Sequence, residues 1–259
     1  VNTFLALSKK EINQMTKEYK VVWLPIVFIL LGLTQPIMMY FLPAILQSMG
    51  GIEGIMIDPT LAKPEGQEVL ASTLNSQFDQ LGIIILAIAT MGIIQGEKAN
   101  GMMAFIFTRP VSISSYLNSK ILSHYVLAVL CIALGYAMSF GYTSYLFTSV
   151  PITHALIALV FYCIWLLFVI TLVTMMSTFF NSSPFIALIS IAVLFICRLC
   201  AGLHPFLDVL NPASNSLYAT TILVTGDVET WYYVTIVVTL LLVLLMMIIM
   251  HHFIAKKKF

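Results

Sequence analysis

The chain has 259 residues, 60% of them hydrophobic and 9% charged, with a mean hydropathy of +1.01; a soluble globular chain carries about 25% charged residues. With 12 Lys+Arg and 11 Asp+Glu it cannot cover a water-soluble globule of this size, so that class is excluded and lipid becomes the solvent. The net charge of +1 offers no footprint for nucleic acid, and what informs in a membrane chain is where each sign falls.

In residues 1–20, Phe4, Leu7, Ser8, Ile12, Met15 and Tyr19 recur at helical spacing with Lys9, Lys10, Lys17 and Glu18 between them. The pattern predicts an amphipathic elbow helix lying along the membrane surface, its Lys residues near anionic lipid headgroups. An apolar run over 21–46 comes next, in which Pro25, Pro36 and Pro43 each remove a helical hydrogen bond and predict a bend. This run exceeds a signal-peptide core and no A-x-A-like site lies after it, so it is expected to stay in the mature chain. Residues 47–72, rich in Gly and Pro, predict a surface loop.

Further apolar runs cover 73–96, 121–147, 154–180, 184–204 and 231–254. Each is long enough to span, since about 20 helical residues cross a hydrocarbon core of about 30 Å. Stretches such as 234–250 are apolar on every face, which suits helices and not the alternating strands of a barrel. The expected fold class is therefore all-α and polytopic: one membrane domain over 1–259, with an elbow helix and six transmembrane helices.

Within the second run, the wholly apolar stretch 81–94 covers only about 21 Å. The helix must begin near 72 or 73 and carry Asn75, Gln77, Asp79 and Gln80 into the outer half of the bilayer, facing protein or a watery cavity. These residues are candidates for a translocation path. Gly92 and Gly96 form a G-x-x-x-G, a weak sign of close helix packing. Arg198 is the one basic residue well inside a span, about 21 Å across from the entry near Pro184. It can snorkel, pair with Asp79 or Asp208, or receive an anionic group of a cargo, which adds it to the path.

Short links at Val150-Pro151 and at Asn181 to Pro184 make the third, fourth and fifth helices antiparallel neighbours. Residues 205–230 mix prolines with Phe206, Leu207, Leu217, Ile222 and Leu223, too apolar for free solvent. They predict one or two short re-entrant helices, with Pro205, Asp208 and Pro212 as a candidate outer gate. Cys197, Cys200 and His204 share a helix face without a fourth ligand, so no metal site is expected, and the four cysteines read as packing residues.

Lys9, Lys10, Lys17 and Lys20, then Lys98, Arg109 and Lys120, then Lys256, Lys257 and Lys258 all fall on one side of this topology. The other side holds Lys63 with Glu53, Asp58, Glu65, Glu68, Asp208, Asp227 and Glu229, so the positive-inside rule places both termini in the cytoplasm.

The cytoplasmic segment 97–120 carries the most specific pattern. Asn100-Gly101 stops a helix, Met102 to Phe107 is a compact apolar turn facing the cytoplasm, Pro110 breaks the chain, and Ser112 or Ser114 can cap the next helix. Glu97 can brace the segment through Arg109 or Lys120. The set Glu97, Gly101, Phe105, Pro110, Val111, Ser112 and Lys120 resembles the inner loop of ABC type-2 exporter permeases: Glu, a few variable residues, Gly-Thr, an apolar stretch, Pro-Val-Ser, then Arg or Lys. Met102 stands in place of that family's usual Thr and Ile113 in place of its frequent Arg. The layout is similar as well, down to the turn Leu210-Asn211-Pro212 before the last span.

The resemblance implies that 97–120 is a coupling loop whose Met102, Met103, Phe105, Ile106 and Phe107 dock on a separate ABC ATPase. The residues alone leave a membrane-surface turn equally open. It also implies a second permease, as a homodimer or a related chain, in a bacterial plasma membrane. No G-x-x-x-x-G-K-[ST] occurs, so no cofactor is expected in this chain, ATP and Mg belonging to the partner ATPase. No G-x-S-x-G or H-E-x-x-H supports the competing class of intramembrane enzyme; a regulatory membrane subunit is a third possibility. A lining rich in Met, Phe, Ile and Leu favours amphipathic peptides or hydrophobic drugs as exported cargo, with lipid or polysaccharide-linked lipid as the alternative.

Overall fold

The computed structural model describes residues 3–48, 64–108 and 111–256. Every regular element among them is helical. Six helical runs are long and apolar enough to cross a membrane: Lys20–Ile45, Gly66–Ala99, Ile113–Leu146, Ile152–Phe179, Ser183–Cys200 and Thr230–Lys256. This is the expected all-α polytopic architecture.

Helix α1 (Thr3–Lys17) precedes the first span, and its buried residues are Glu11 and Met15, one turn apart. Leu5 and Ile12 are exposed. The apolar residues of α1 thus divide, Met15 and Leu7 packing on the bundle beside the Glu11 carboxylate while Leu5 and Ile12 face outward, as suits a helix lying between the protein and lipid. Tyr19 makes the corner with φ 56, the one non-glycine residue at positive φ among the described residues. Helix α2 (Lys20–Ser48) then runs through all three prolines.

The second span begins at Gly66 and not at 73: α3 (Gly66–Ser72) leads into a π-helical stretch over Thr73–Gly82 and then α4 (Ile83–Thr90). The expected loop over 47–72 is therefore helical from 66 onward, while 49–63 lies outside the described residues. Residues 91–94 are a turn, after which come α5 (Gln95–Ala99) and α6 (Met102–Phe107). The third span, α7 (Ile113–Leu146), starts ahead of the expected 121. The apolar-run rule stopped at Lys120, but that ammonium is buried among carboxylates rather than at the membrane surface, so the helix continues past it.

Helix α8 (Ile152–Phe179) is the axis of the bundle, with Ala158, Tyr162, Trp165, Leu166, Val169 and Ile170 sealed from solvent. Around it pack α7, α9 (Ser183–Cys200), α11 (Ser214–Thr225) and α12 (Thr230–Lys256). The segment 205–230 holds two short helices, α10 (Pro205–Leu210) and α11. Ala219, Ile222 and Leu223 of α11 are wholly buried, which explains the apolar content of that helix, whereas Phe206, Leu207 and Leu210 of α10 are exposed.

Close backbone approach occurs where α2 crosses α7. A Cβ on Gly32 would sit 2.1 Å from the Gly135 carbonyl oxygen, and one on Gly135 would sit 2.3 Å from that of Phe28. Gly92 and Gly96, the pair with the motif spacing, have open space where a side chain would go. Small residues let helix backbones touch, but only the partner's position says which ones are needed. Gly135→Ala is expected to lower stability by about 1–3 kcal/mol through overpacking, read as an earlier thermal unfolding in detergent; Gly96→Ala, the control, leaves it unchanged.

Candidate functional site

At the lysine-rich end of the bundle, α1, α5 and α7 meet around four charges. The Lys120 ammonium lies 3.1 Å from both Glu11 Oε1 and Glu97 Oε1. It also donates to the Ile93 carbonyl at 2.8 Å, one of the acceptors that the break at 91–94 takes out of the helix ladder. Lys10 bridges Glu11 and Glu97 from the other side. The Tyr116 hydroxyl donates to Glu97 Oε2 at 2.5 Å. Glu11, Glu97 and Lys120 are all buried, so each charge depends on the others for compensation. Burial pushes the Glu11 carboxyl up, but Lys120 and Lys10 outweigh it and hold the group below the ordinary Glu range. Desolvation and the neighbouring Lys120 draw Lys10 below the ordinary lysine value.

This cluster fixes the root of α6. Gly101 enters the helix at φ 67, and the helical spacing of three puts Met103 and Ile106 on one face of α6. Met103 and Ile106 are 3% and 8% exposed and belong to the core, whereas Met102 and Phe105 are 45% and 60% exposed. Of the residues expected to dock, Met103 and Ile106 are taken up in anchoring the helix to the core, and Met102 and Phe105 are left exposed. Phe107 is half-buried with its ring 5.4 Å from that of Tyr116. Val111 packs at the edge of the core, and Ser112 caps α7 by accepting from the Ser115 N–H at 3.2 Å. Pro110 and Arg109 lie outside the described residues; Glu97 is braced by Lys120. A cavity of about 660 Å³ separates α1 from the knob, with Lys10, Lys17, Gly96, Met102 and His124 in its walls.

In the other half of the bundle, the π-helical stretch divides the polar residues expected to share one face. Hydrogen bonds from i to i+5 stack every fifth residue, so Asn75 and Gln80 both lie on the exposed side while Asp79 points into the bundle. Gln77 is half-buried and donates to Gln35 Oε1 at 3.0 Å. Arg198 resolves its alternatives by pairing with Asp79, Nε to Oδ2 at 3.0 Å. Its Nη2 donates to Asn75 Oδ1 at 2.6 Å. Ser216 of α11 donates to the same Asp79 oxygen, so the second span, the fifth span and the re-entrant helix are tied at one carboxylate.

Asp208 does not serve Arg198. Its Oδ1 accepts from the Gly202 N–H at 2.6 Å and closes the turn between α9 and α10. Pro205 opens α10, and the Pro212 carbonyl accepts from Asn215 Nδ2 at 3.0 Å at the start of α11. Sequence reading missed Lys10, Glu11 and Tyr116 as members of the inner site, and Ser216 and Gln35 of the outer one. The signal for Glu11 was its place one helical turn from Met15, which puts the carboxylate and that apolar side chain on one face of α1.

Residues 5–254 match the model of a family described as ABC-2 family transporter protein. Over 228 residues the chain is 32% identical to a Bacillus subtilis (strain 168) protein named uncharacterized transmembrane protein YxlG, covering 88% of this chain and 87% of that relative.

Proposed function

The chain belongs to the ABC-2 family of transporter proteins, and we propose that it is the permease subunit of an ATP-driven exporter that moves amphipathic peptides or hydrophobic drugs outward. The observation that supports this most directly is the apolar knob. Met102 and Phe105 are exposed at the lysine-rich end on a root held by buried ion pairs, a costly arrangement that a protein partner would offset by covering it. A separate ABC ATPase, carrying ATP and Mg, is the occupant that the family relation favours.

The path is assigned to the interface with a second permease. Asn75 and Gln80 are exposed in a single chain, and polar groups in a span are expensive against lipid. A second copy or related permease set against this face would give them a polar surrounding, with Arg198 behind Asn75. Many Leu, Ile and Val side chains of the spans are exposed, among them Leu30, Val160, Leu188 and Ile248, which suits cargo that partitions into the inner leaflet and enters sideways.

The test is ATP hydrolysis by the permease reconstituted with the ABC ATPase that co-purifies with it from native membranes. Amphipathic helical peptides are expected to raise the rate several-fold, and neutral sugars and inorganic ions to leave it unchanged. Stimulation by sugars or ions with no response to any amphipathic peptide or hydrophobic drug would overturn the cargo class.

A further inference from the structure

Glu97 and Lys98 are neighbours in sequence with opposite charges, and they reach in opposite directions. Glu97 binds α1 and α7. Lys98 reaches to the end of α8, where its ammonium donates to the carbonyls of Thr178 at 3.0 Å and Phe180 at 2.6 Å and to Asn181 Oδ1 at 3.2 Å. The terminal carbonyls of a helix lack intrahelical donors and carry the negative end of its dipole, so a cation there is held by both effects.

Two further groups make the same connection. Gln95 Nε2 donates to the Asn181 carbonyl at 2.9 Å, while Gln95 Oε1 accepts from the Ser183 hydroxyl at 2.6 Å. Ser177 of α8 fills the break in the second span: its Oγ accepts from the N–H groups of Ile94 at 3.1 Å and Gln95 at 2.9 Å and donates to the Met91 carbonyl at 2.9 Å. The backbone groups freed at the break are therefore satisfied from neighbouring helices, the Met91 carbonyl and the Ile94 and Gln95 N–H groups by α8 and the Ile93 carbonyl by Lys120 of α7. Turning α5 and α6 about this break does not require an intact helix to bend, but it does drag whatever α5 holds.

We infer that Lys98, with Gln95 and Ser177, is the positioning group that carries movement of the docked knob into the fourth and fifth spans. The inference rests on the reading of α6 as the ATPase-docking element. The contact at Asn181 and Ser183 is the entry to α9, and α9 is the helix whose Arg198 holds Asp79 in the outer half. A displacement at α6 is thus delivered to the helix that ties the outer cluster together, through hydrogen bonds and one helix. Glu97 anchors the knob against α1 and α7, and Lys98 works the other side of the bundle.

The experiment compares Lys98→Met and Lys98→Arg with the wild-type chain in the permease–ATPase complex. Lys98→Met should retain ATPase co-purification and basal hydrolysis but lose about tenfold of the increment produced by an amphipathic peptide, within the range for residues that carry coupling between sites. Lys98→Arg, which keeps the cation and its donors, should recover most of it. A full peptide response in Lys98→Met would overturn the inference, as would loss of the ATPase from it, which would make Lys98 part of the docking surface. Absence of any ATPase with the wild-type chain is the separate failure of the docking reading. The clamp is read without an ATPase by spin labels at Ala104→Cys and Ser182→Cys on a background free of native cysteines. Their distance distribution in nanodiscs is expected to be narrow and to broaden in Lys98→Met; an unchanged distribution would refute the clamp.

Discussion

Met102→Asp combined with Phe105→Asp is expected to abolish co-purification of the ABC ATPase while the permease still inserts and folds. Both side chains are largely exposed and their neighbours Met103 and Ile106 are not, so the charges enter at the docking face without entering the core. Central apolar anchors of an interface commonly contribute about 2 kcal/mol or more each, and two carboxylates buried unpaired against a partner add their desolvation to that loss. A fall in affinity of at least about a hundredfold is the consequence of losing two such anchors. Ile106→Asp would not serve, because it places a carboxylate in the core. Pull-down of the ATPase at wild-type yield by the double variant would eliminate α6 as the docking element.

The second large effect is at the buried charge cluster. Lys120→Met leaves Glu11 and Glu97 with the partly exposed Lys10 as their remaining shared cation, in place of the buried ammonium that lies 3.1 Å from each; removing one partner from a buried ion pair typically costs about 3–5 kcal/mol, and Lys10 keeps the loss toward the lower end. Glu11, Glu97 and Lys120 are at most 5% exposed, so solvent screens little of this. The expected outcome is a markedly lower unfolding temperature and faster amide exchange in α1, whose grip on the bundle runs through Glu11. Adding Glu11→Gln to Lys120→Met removes one of the stranded charges and should recover part of the loss. Unfolding temperatures that match the wild type in the single variant would show that the cluster contributes nothing.

Much of this arrangement was legible in the residue order. Six spans follow from the length of the apolar runs, because a helix is the structure that satisfies its own backbone in lipid, and the side on which the lysines collect follows from a rule about charge and not about contact. The apolar knob was visible in Asn100-Gly101 and the run after it, since local chain stops need no distant partner to be recognised. Helix boundaries were less legible where polarity and location part company. Lys120 marked a membrane surface in the one-dimensional pattern, yet α7 begins at Ile113 because Glu11, more than a hundred positions away, compensates the ammonium inside the protein.

What the sequence by itself determined is the class of solvent and the number of crossings, both of which depend on side-chain type summed along the chain. What only the tertiary structure decided is which polar groups meet. Arg198 could have paired with Asp79 or Asp208; the π-helical stretch turned Asp79 inward to meet it and left Asn75 and Gln80 outside. The glycines with the recognisable spacing face open space, while Gly32 and Gly135, far apart in sequence, are the ones that touch. Lys98 and Glu97 look alike in the sequence as an adjacent charged pair, and their opposite partners emerge only when the ends of α1, α7 and α8 are packed around α5. The physical reason is common to all of these: burial and helix formation are properties of a segment, whereas hydrogen bonds and ion pairs need two groups within about 3 Å, and that proximity is created by packing between segments.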